Sequence, residues 1–170
     1  MTVAGIISWV RDDDFERLYA AHAEPLLGFL VYRTGNRSTA EDVLADTFER
    51  VLRTRFRFDP RKSSEKTWIY AIALNLLRDQ ARRQAAEQRA LERTPEPVPS
   101  GAARGIDLAD DRDELRRALD GLSHEERECV ALRYGADLTV PEIGRVLGEK
   151  VSTVEGRVYR ALRKMRDELG

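Results

Sequence analysis

Residues Ser64–Gln84, SEKTWIYAIALNLLRDQARRQ, contain no Gly or Pro and open on a serine before an acidic first turn, a usual helix start. Ile69, Ile72, Ala73, Leu76 and Leu77 recur at helical spacing and build one apolar stripe. The opposite face carries Thr67, Ala71, Asn75, Arg78 and Arg82, small at one end and cationic at the other. Trp68 and Tyr70 flank the stripe near its start. A polyanionic strand can lie close to small residues while guanidinium groups neutralise its phosphates. Its bases need aromatic planes on which to stack. The competing reading is an amphipathic core helix with a solvated basic face, and this stretch alone does not separate the two.

Composition narrows the field. The chain has 170 residues, enough for one domain or two small ones, with 42% hydrophobic and 35% charged residues. That balance suits a mainly helical, strongly solvated protein. The net charge of −1 means that a nucleic-acid partner must be met by a local patch. A single cysteine, Cys129, excludes a disulfide framework and reads as a small buried residue. His22 and His124 stand far apart without ligand spacing, so no metal is expected. The opening MTVAGIISWVRDDD has no basic region before its short apolar run; it reads neither as a signal peptide nor as a membrane span, and a cytoplasmic setting is expected.

In chain order, residues 1–13 form a lead-in in which Ile6, Ile7, Trp9 and Val10 can pack on the body. Asp14–Arg33 reads as a helix with Phe15, Leu18, Tyr19, Leu26, Leu27, Phe29 and Leu30 as core candidates and a kink expected at Pro25. A turn at Thr34-Gly35-Asn36 precedes a second helix, placed from Ser38 by a capping box with Glu41. Its apolar face, Ala40, Val43, Leu44, Thr47, Phe48, Val51 and Leu52, is wider than one buried side requires, and Asp42, Asp46 and Glu49 edge it. Such a helix either meets a partner or is buried on two sides. The connector Thr54–Ser63 interleaves Arg55, Arg57, Arg61 and Lys62 with Phe56 and Phe58, and turns at Asp59-Pro60. The helical pattern weakens past Gln84, and TPEPVPSGAARG, Thr94–Gly105, reads as a linker.

A second helical unit runs from about Leu108 to Leu169. Leu115, Ala118, Leu119 and Leu122 belong to its first helix. Ser123 with Glu126, Thr139 with Glu142 and Ser152 with Glu155 give three further capping boxes, all pointing to an all-α fold. Val140–Leu147 and Thr153 to about Glu168, separated by a short turn, form a helix-turn-helix. Val154, Val158, Ala161, Leu162 and Met165 supply the buried stripe of the second helix, and Thr153, Glu155, Gly156, Arg157, Arg160, Arg163 and Lys164 stay outside. A recognition helix presents its N-terminal residues to base edges. Arg157 and Arg160 suit guanine or phosphate, and Glu155 can accept from cytosine N4 or cap the helix.

Two widely separated stretches now agree. NRSTAEDVLADTFERVLR with FDPRKSSEKTWIYAIALNLLRDQARRQ, and LSHEERECVALRYGADLTVPEIGRVLGEKVSTVEGRVYRALRKMRDEL, resemble the bacterial RNA polymerase sigma factors of the extracytoplasmic-function type in the sigma-70 family. The resemblance implies two small helical domains joined by a flexible linker: region 2 over residues 14–93, a linker over 94–106, and a region 4 helix-turn-helix over 107–170. It implies an alternative sigma factor that binds core polymerase and directs promoter recognition and opening. The core contact, on the β′ clamp helices, would use Asp42, Asp46, Phe48 and Glu49. The −10 element and its single strand would meet Phe58, Asp59, Ser63, Lys66, Trp68, Asn75, Arg78, Arg82 and Arg83. The −35 duplex would meet Ser152, Thr153, Glu155, Gly156, Arg157, Arg160 and Lys164, in a domain that also touches the β flap. An anti-sigma factor is a further implied partner. The sequence departs from the family pattern at Ala45, where Gln is frequent, at Gly144, where Ala is usual, and at Glu155, where a basic residue is usual.

The rival readings are a stand-alone helix-turn-helix regulator and a sigma-like interaction module without initiation activity. The Trp68–Arg83 helix argues against the first, because a simple repressor has no use for it. With no Ser-His-Asp order, phosphate loop or metal-ligand cluster, no enzyme activity, catalytic residue or cofactor is expected.

Overall fold

The computed structural model describes residues 12–91 and 111–170, with side chains described over 14–90 and 115–170. Nearly all of the lead-in and the whole Thr94–Gly105 linker lie outside the described residues. The chain divides into two compact units, Met1–Ala103 and Arg104–Gly170. Every regular element among the described residues is helical. The first unit holds α1 (Asp12–Thr34), α2 (Arg37–Thr54), a short 3-10 turn (Arg55–Arg57) and α3 (Glu65–Leu91). The second holds α4 (Asp111–Asp120), α5 (His124–Val130), a π turn (Ala131–Gly135), α6 (Val140–Leu147) and α7 (Val151–Leu169).

In the first unit α2 packs against both α1 and α3. Of its wide apolar face, Ala40, Val43, Leu44, Thr47, Phe48 and Val51 are buried, so most of the width serves two intramolecular neighbours, while Leu52 is 43% exposed. Thr47 is tolerated inside because its hydroxyl donates to the Val43 carbonyl at 2.6 Å. Leu26, Phe29 and Leu30 of α1 close one side of the core, and Ile69, Tyr70, Ala73 and Leu74 of α3 the other. Tyr19, expected in the core, lies at its rim, half exposed but with its ring 4.7 Å from that of Phe48. α1 continues through Pro25 to Thr34. Pro25 and Ala21, the residue whose carbonyl loses its partner, are both exposed, so water can take that bond.

The start of α2 corrects the sequence reading. Asn36, in extended backbone, is the N-cap, and its side chain accepts from the Thr39 N–H at 3.0 Å. Ser38 lies within the first turn, and Glu41 pairs with Arg37 at 2.8 Å rather than reaching back to a cap. Asn outcompetes Ser here because Gly35, in the left-handed region at φ 65°, turns the chain just ahead of it. Asn36→Ala is therefore expected to cost about 1 kcal/mol in thermal unfolding of the whole chain, while Ser38→Ala leaves stability unchanged. A larger loss from Ser38→Ala would contradict this cap assignment.

The second unit is built on α7, which packs against α4, α5 and α6. Leu122, Val130 and Ala161 form a buried cluster with Leu119 and Met165 against it. Leu122 belongs to the turn after α4 rather than to the helix, and Leu115 is largely exposed. Cys129 is buried, as expected, and burial pushes its thiol up, away from the reactive thiolate. The capping boxes of Ser123 with Glu126 and of Thr139 with Glu142 are both formed. The one placed at Ser152 is not: α7 begins at Val151, and Lys150 in its cap position makes no side-chain bond.

Candidate nucleic-acid interface

Ser64 opens α3 as expected, its hydroxyl accepting from the Thr67 N–H at 3.1 Å. The buried face that follows is rotated from the predicted stripe. Thr67, Ile69, Tyr70, Ala73 and Leu74 are inside, while Ile72, Leu76 and Leu77 are only half-buried. Thr67 thus leaves the outward face on which it was placed. Tyr70 is 2% exposed and packs edge-on to Phe29 at 5.3 Å. Burial pushes its phenol up to about 12, and it offers no plane to a base.

The rotation creates the site. Ile72 and Leu76 form the floor of an open cleft of about 440 Å³, walled by Trp68, Asn75, Arg78, Asp79 and Arg82 of α3 and by Arg50 and Thr54 of α2. The predicted residues Trp68, Asn75, Arg78 and Arg82 are therefore brought together. Arg83, one position on, is exposed but is not among the lining residues. Arg50 and Thr54 were missed because only the pairing of α2 with α3 makes them neighbours of Trp68, and Ile72 and Leu76, on the same helix as Trp68, because they were assigned to the buried stripe. Asp79, 3.5 Å from Arg82, was the more legible of the omissions, lying one turn before that arginine.

The connector leads into this cleft. The Phe58 ring lies 4.9 Å from Trp68, tilted by 31°, and supports one side of the indole. Phe56 is 72% exposed, with the Arg57 guanidinium 5.6 Å above its ring. Asp59 spends its carboxylate on the turn, accepting from the Arg61 N–H at 3.0 Å. The Ser63 hydroxyl donates to the Ser64 carbonyl at 3.3 Å, and Lys66 is half-buried. The start of α3 is anchored on α1: Arg17 donates to Glu65 at 2.9 Å, and His22 stands 3.9 Å from the same carboxylate. The Arg17 bond holds Glu65 below the usual carboxylate range, and burial pushes His22 down.

The acidic edge of α2 is only partly as expected. Asp42, Asp46 and Glu49 are exposed, although Glu49 is held by Arg53 at 2.6 Å. Phe48 is buried against Phe15 and Tyr19, so it is a core residue and is unavailable as a surface contact.

In the second unit α6 and α7 form the expected helix-turn-helix. Ser152 and Glu155 are exposed, and Thr153 and Gly156 half so. The cations differ from expectation. Arg157 is folded back, its guanidinium 3.2 Å from Glu149 and its side chain 19% exposed. Lys164 donates to Glu126 at 2.8 Å, and Arg160 stands 3.7 Å from that carboxylate. Tyr159, not selected from the sequence, is 68% exposed on the outward face. Its position one turn from Glu155 on a helix wheel was the available signal.

Comparison with known proteins matches the chain to the family descriptions "Sigma-70 region 2" over residues 18–87 and "Sigma-70, region 4" over residues 112–165. The RNA polymerase sigma factor CarQ of Myxococcus xanthus is 34% identical over 158 residues, covering 93% of this chain and 90% of CarQ. The ECF RNA polymerase sigma factor BldN of Streptomyces coelicolor is 29% identical over 163 residues, covering 90% of this chain; the chain spans 59% of BldN's length. Among solved structures, the sigma factor RpoE of Bartonella quintana, in complex with the anti-sigma factor NepR, matches with a TM-score of 0.72 at 24% identity, over 92% of this chain and 97% of RpoE. That likeness is one of fold.

Proposed function

This chain belongs to the sigma-70 family of RNA polymerase sigma factors, in its extracytoplasmic-function branch, and from that membership we propose that it is an alternative sigma factor directing transcription initiation by core polymerase. One observation carries the proposal. Helix α3 gathers an aromatic ring, an amide and two guanidinium groups along one open cleft, in the same chain as a helix-turn-helix. Single-stranded DNA needs the first arrangement and duplex DNA the second.

In this reading residues 14–93 bind core polymerase and the −10 element, and 107–170 bind the −35 element. Asp42 and Asp46, with Glu49, present acid to the β′ clamp helices; Phe48 holds that helix from inside. A base unstacked from the −10 element enters beside Phe58 and Trp68. The phosphates of the displaced strand pass Asn75, Arg78 and Arg82, with Arg83 beyond the cleft. Unstacking costs a few kcal/mol, so attachment to polymerase must hold the factor in place while that cost is met. Helix α7 lies in the upstream major groove, and its domain meets the β flap. An anti-sigma factor, the class of partner with which RpoE was solved, is the expected regulator.

The test is multi-round transcription with core polymerase and a promoter library, with and without this chain, read by sequencing transcript starts. Starts that share two upstream elements are expected. Polymerase binding without starts would make the chain an interaction module, and failure to bind polymerase would leave a stand-alone helix-turn-helix regulator.

A further inference from the structure

Glu126 occupies an unusual place for an acid. It sits on α5, where its backbone N–H donates to the Ser123 hydroxyl at 3.2 Å and its carboxylate accepts from the Ser123 N–H at 3.0 Å. The same carboxylate takes Lys164 at 2.8 Å and faces Arg160 at 3.7 Å, both from α7, thirty or more positions along the chain. Its side chain is 6% exposed, whereas those of Lys164 and Arg160 are 47% and 56% exposed. A shielded anion therefore sits behind two cations whose heads reach solvent. The Lys164 bond, the Ser123 N–H and Arg160 hold Glu126 below the usual carboxylate range, so it stays charged at neutral pH.

The position of those cations gives this pairing its consequence. At 3.6 residues per turn, the centre of the outward face of α7 runs through Ser152, Gly156, Tyr159 and Arg163. Arg160 and Lys164 lie on the flank of that face, where a helix seated in a groove meets the phosphate wall rather than base edges. We infer that Glu126 is an internal counter-charge to the duplex-binding face: it occupies Lys164 and Arg160 in place of phosphate and thereby holds down the affinity of the second unit for DNA. The inference rests on the proposal that α7 binds the upstream duplex. It gives a physical reason for a factor that reaches the promoter through polymerase rather than alone. A phosphate can win Lys164 only by displacing a carboxylate already in place, so the gain per contact is reduced.

Glu126→Gln separates the charge from the fold, because Gln can still accept from the Ser123 N–H and complete the capping box. The full chain is assembled with core polymerase on a promoter selected by the transcription experiment, and binding is followed from 50 to 200 mM salt, a range over which phosphate contacts change affinity strongly. Glu126→Gln is expected to bind about three- to tenfold more tightly at low salt, with a log–log salt slope steeper by about 0.9, one additional phosphate neutralised. Glu125→Gln removes the same charge one residue away, from a carboxylate bonded to the Ser123 hydroxyl, and controls for net charge. Equal effects from the two variants would overturn the inference while leaving duplex binding intact. Absence of upstream protection in a hydroxyl-radical footprint of the unaltered holoenzyme would remove both. Should Glu126→Gln lose its folded signal in thermal unfolding, Lys164→Gln decides instead. A slope change well below 0.9 supports the counter-charge, and a full change of about 0.9 overturns it.

Discussion

Holoenzyme carrying Trp68→Ala is expected to form open complexes about ten- to a hundredfold less readily than the unaltered factor. The magnitude follows from stacking. A base on an aromatic plane gains about 1–3 kcal/mol, and unstacking it from the duplex costs a few. Trp68 is the aromatic residue in the lining of the α3 cleft, and Phe58 stands 4.9 Å behind it as support. Losing the indole removes both the plane and the reason for that arrangement. The defect should not arise from unfolding, because Trp68 is half-buried while the core is closed by Ile69, Tyr70, Ala73 and Leu74. Trp68→Phe keeps a plane of smaller area and should stay within a few fold of normal. The measurement is heparin-resistant complex formation, with binding of a fluorescent single-stranded −10 oligonucleotide as the direct readout. Tyr70→Phe, whose ring is internal and packs on Phe29, should leave strand capture unchanged. If Trp68→Ala captures the single strand normally, the cleft is not the path of the bases.

What could be read in advance follows the range of the physics involved. The helix-turn-helix was legible because its signals are local: Thr139 and Glu142 box the start of α6, and Gly148, at φ 70°, ends it. The wide apolar face of α2 was legible as well, but its purpose was not, since only the packing of α1 and α3 on either side separates a buried helix from a docking one. The face of α3 was read one step off. Ile72, Leu76 and Leu77 are as apolar as Leu74, and periodicity cannot choose between overlapping stripes when Thr67 and Tyr70 can both be buried. The weakening of the helical pattern past Gln84 has a different reason. Residues 81–90 are exposed on every side, so their apolar pattern vanishes. The segment ARRQAAEQRA stays helical on intrinsic preference, rich in Ala, Arg, Gln and Glu. The pairings of Lys164 with Glu126 and of Arg157 with Glu149 were out of reach, because charge alone does not say which acid a cation will meet across a fold.

Gly144→Ala and Gly156→Ala are expected to move stability in opposite directions, although both put a methyl group on a helix of the same unit. Helix preference favours Ala over Gly by about 1 kcal/mol at either site. At Gly156 the nearest atom to an added Cβ is the Arg160 Nη1 at 3.2 Å, the free end of a long side chain that can move aside. There the preference should win, and Gly156→Ala should unfold at the same or a higher temperature. At Gly144 the added Cβ would stand 2.9 Å from the Glu149 carbonyl oxygen, which belongs to the backbone. That carbonyl cannot swing away cheaply. The N–H groups of both Gly148 and Glu149 donate to the Gly144 carbonyl, the latter at 2.8 Å, so the turn is folded down on the residue being enlarged. Relieving the contact means lifting the turn, and with it Val151, where α7 begins. Overpacking of this kind costs about 1–3 kcal/mol, enough to exceed the helix preference and give a net loss. Gly144→Val adds branched bulk in the same place and should lose more. Thermal unfolding of the full chain, with hydrogen exchange of the α6 and α7 amides, reads the effect where it arises. Exchange in α2 and α3 should be unchanged, and upstream duplex contact should weaken while single-strand capture persists. The glycine thus permits the close approach of α6 to the start of α7. Were Gly144→Ala as stable as the unaltered chain, the turn would have room that the 2.9 Å approach denies.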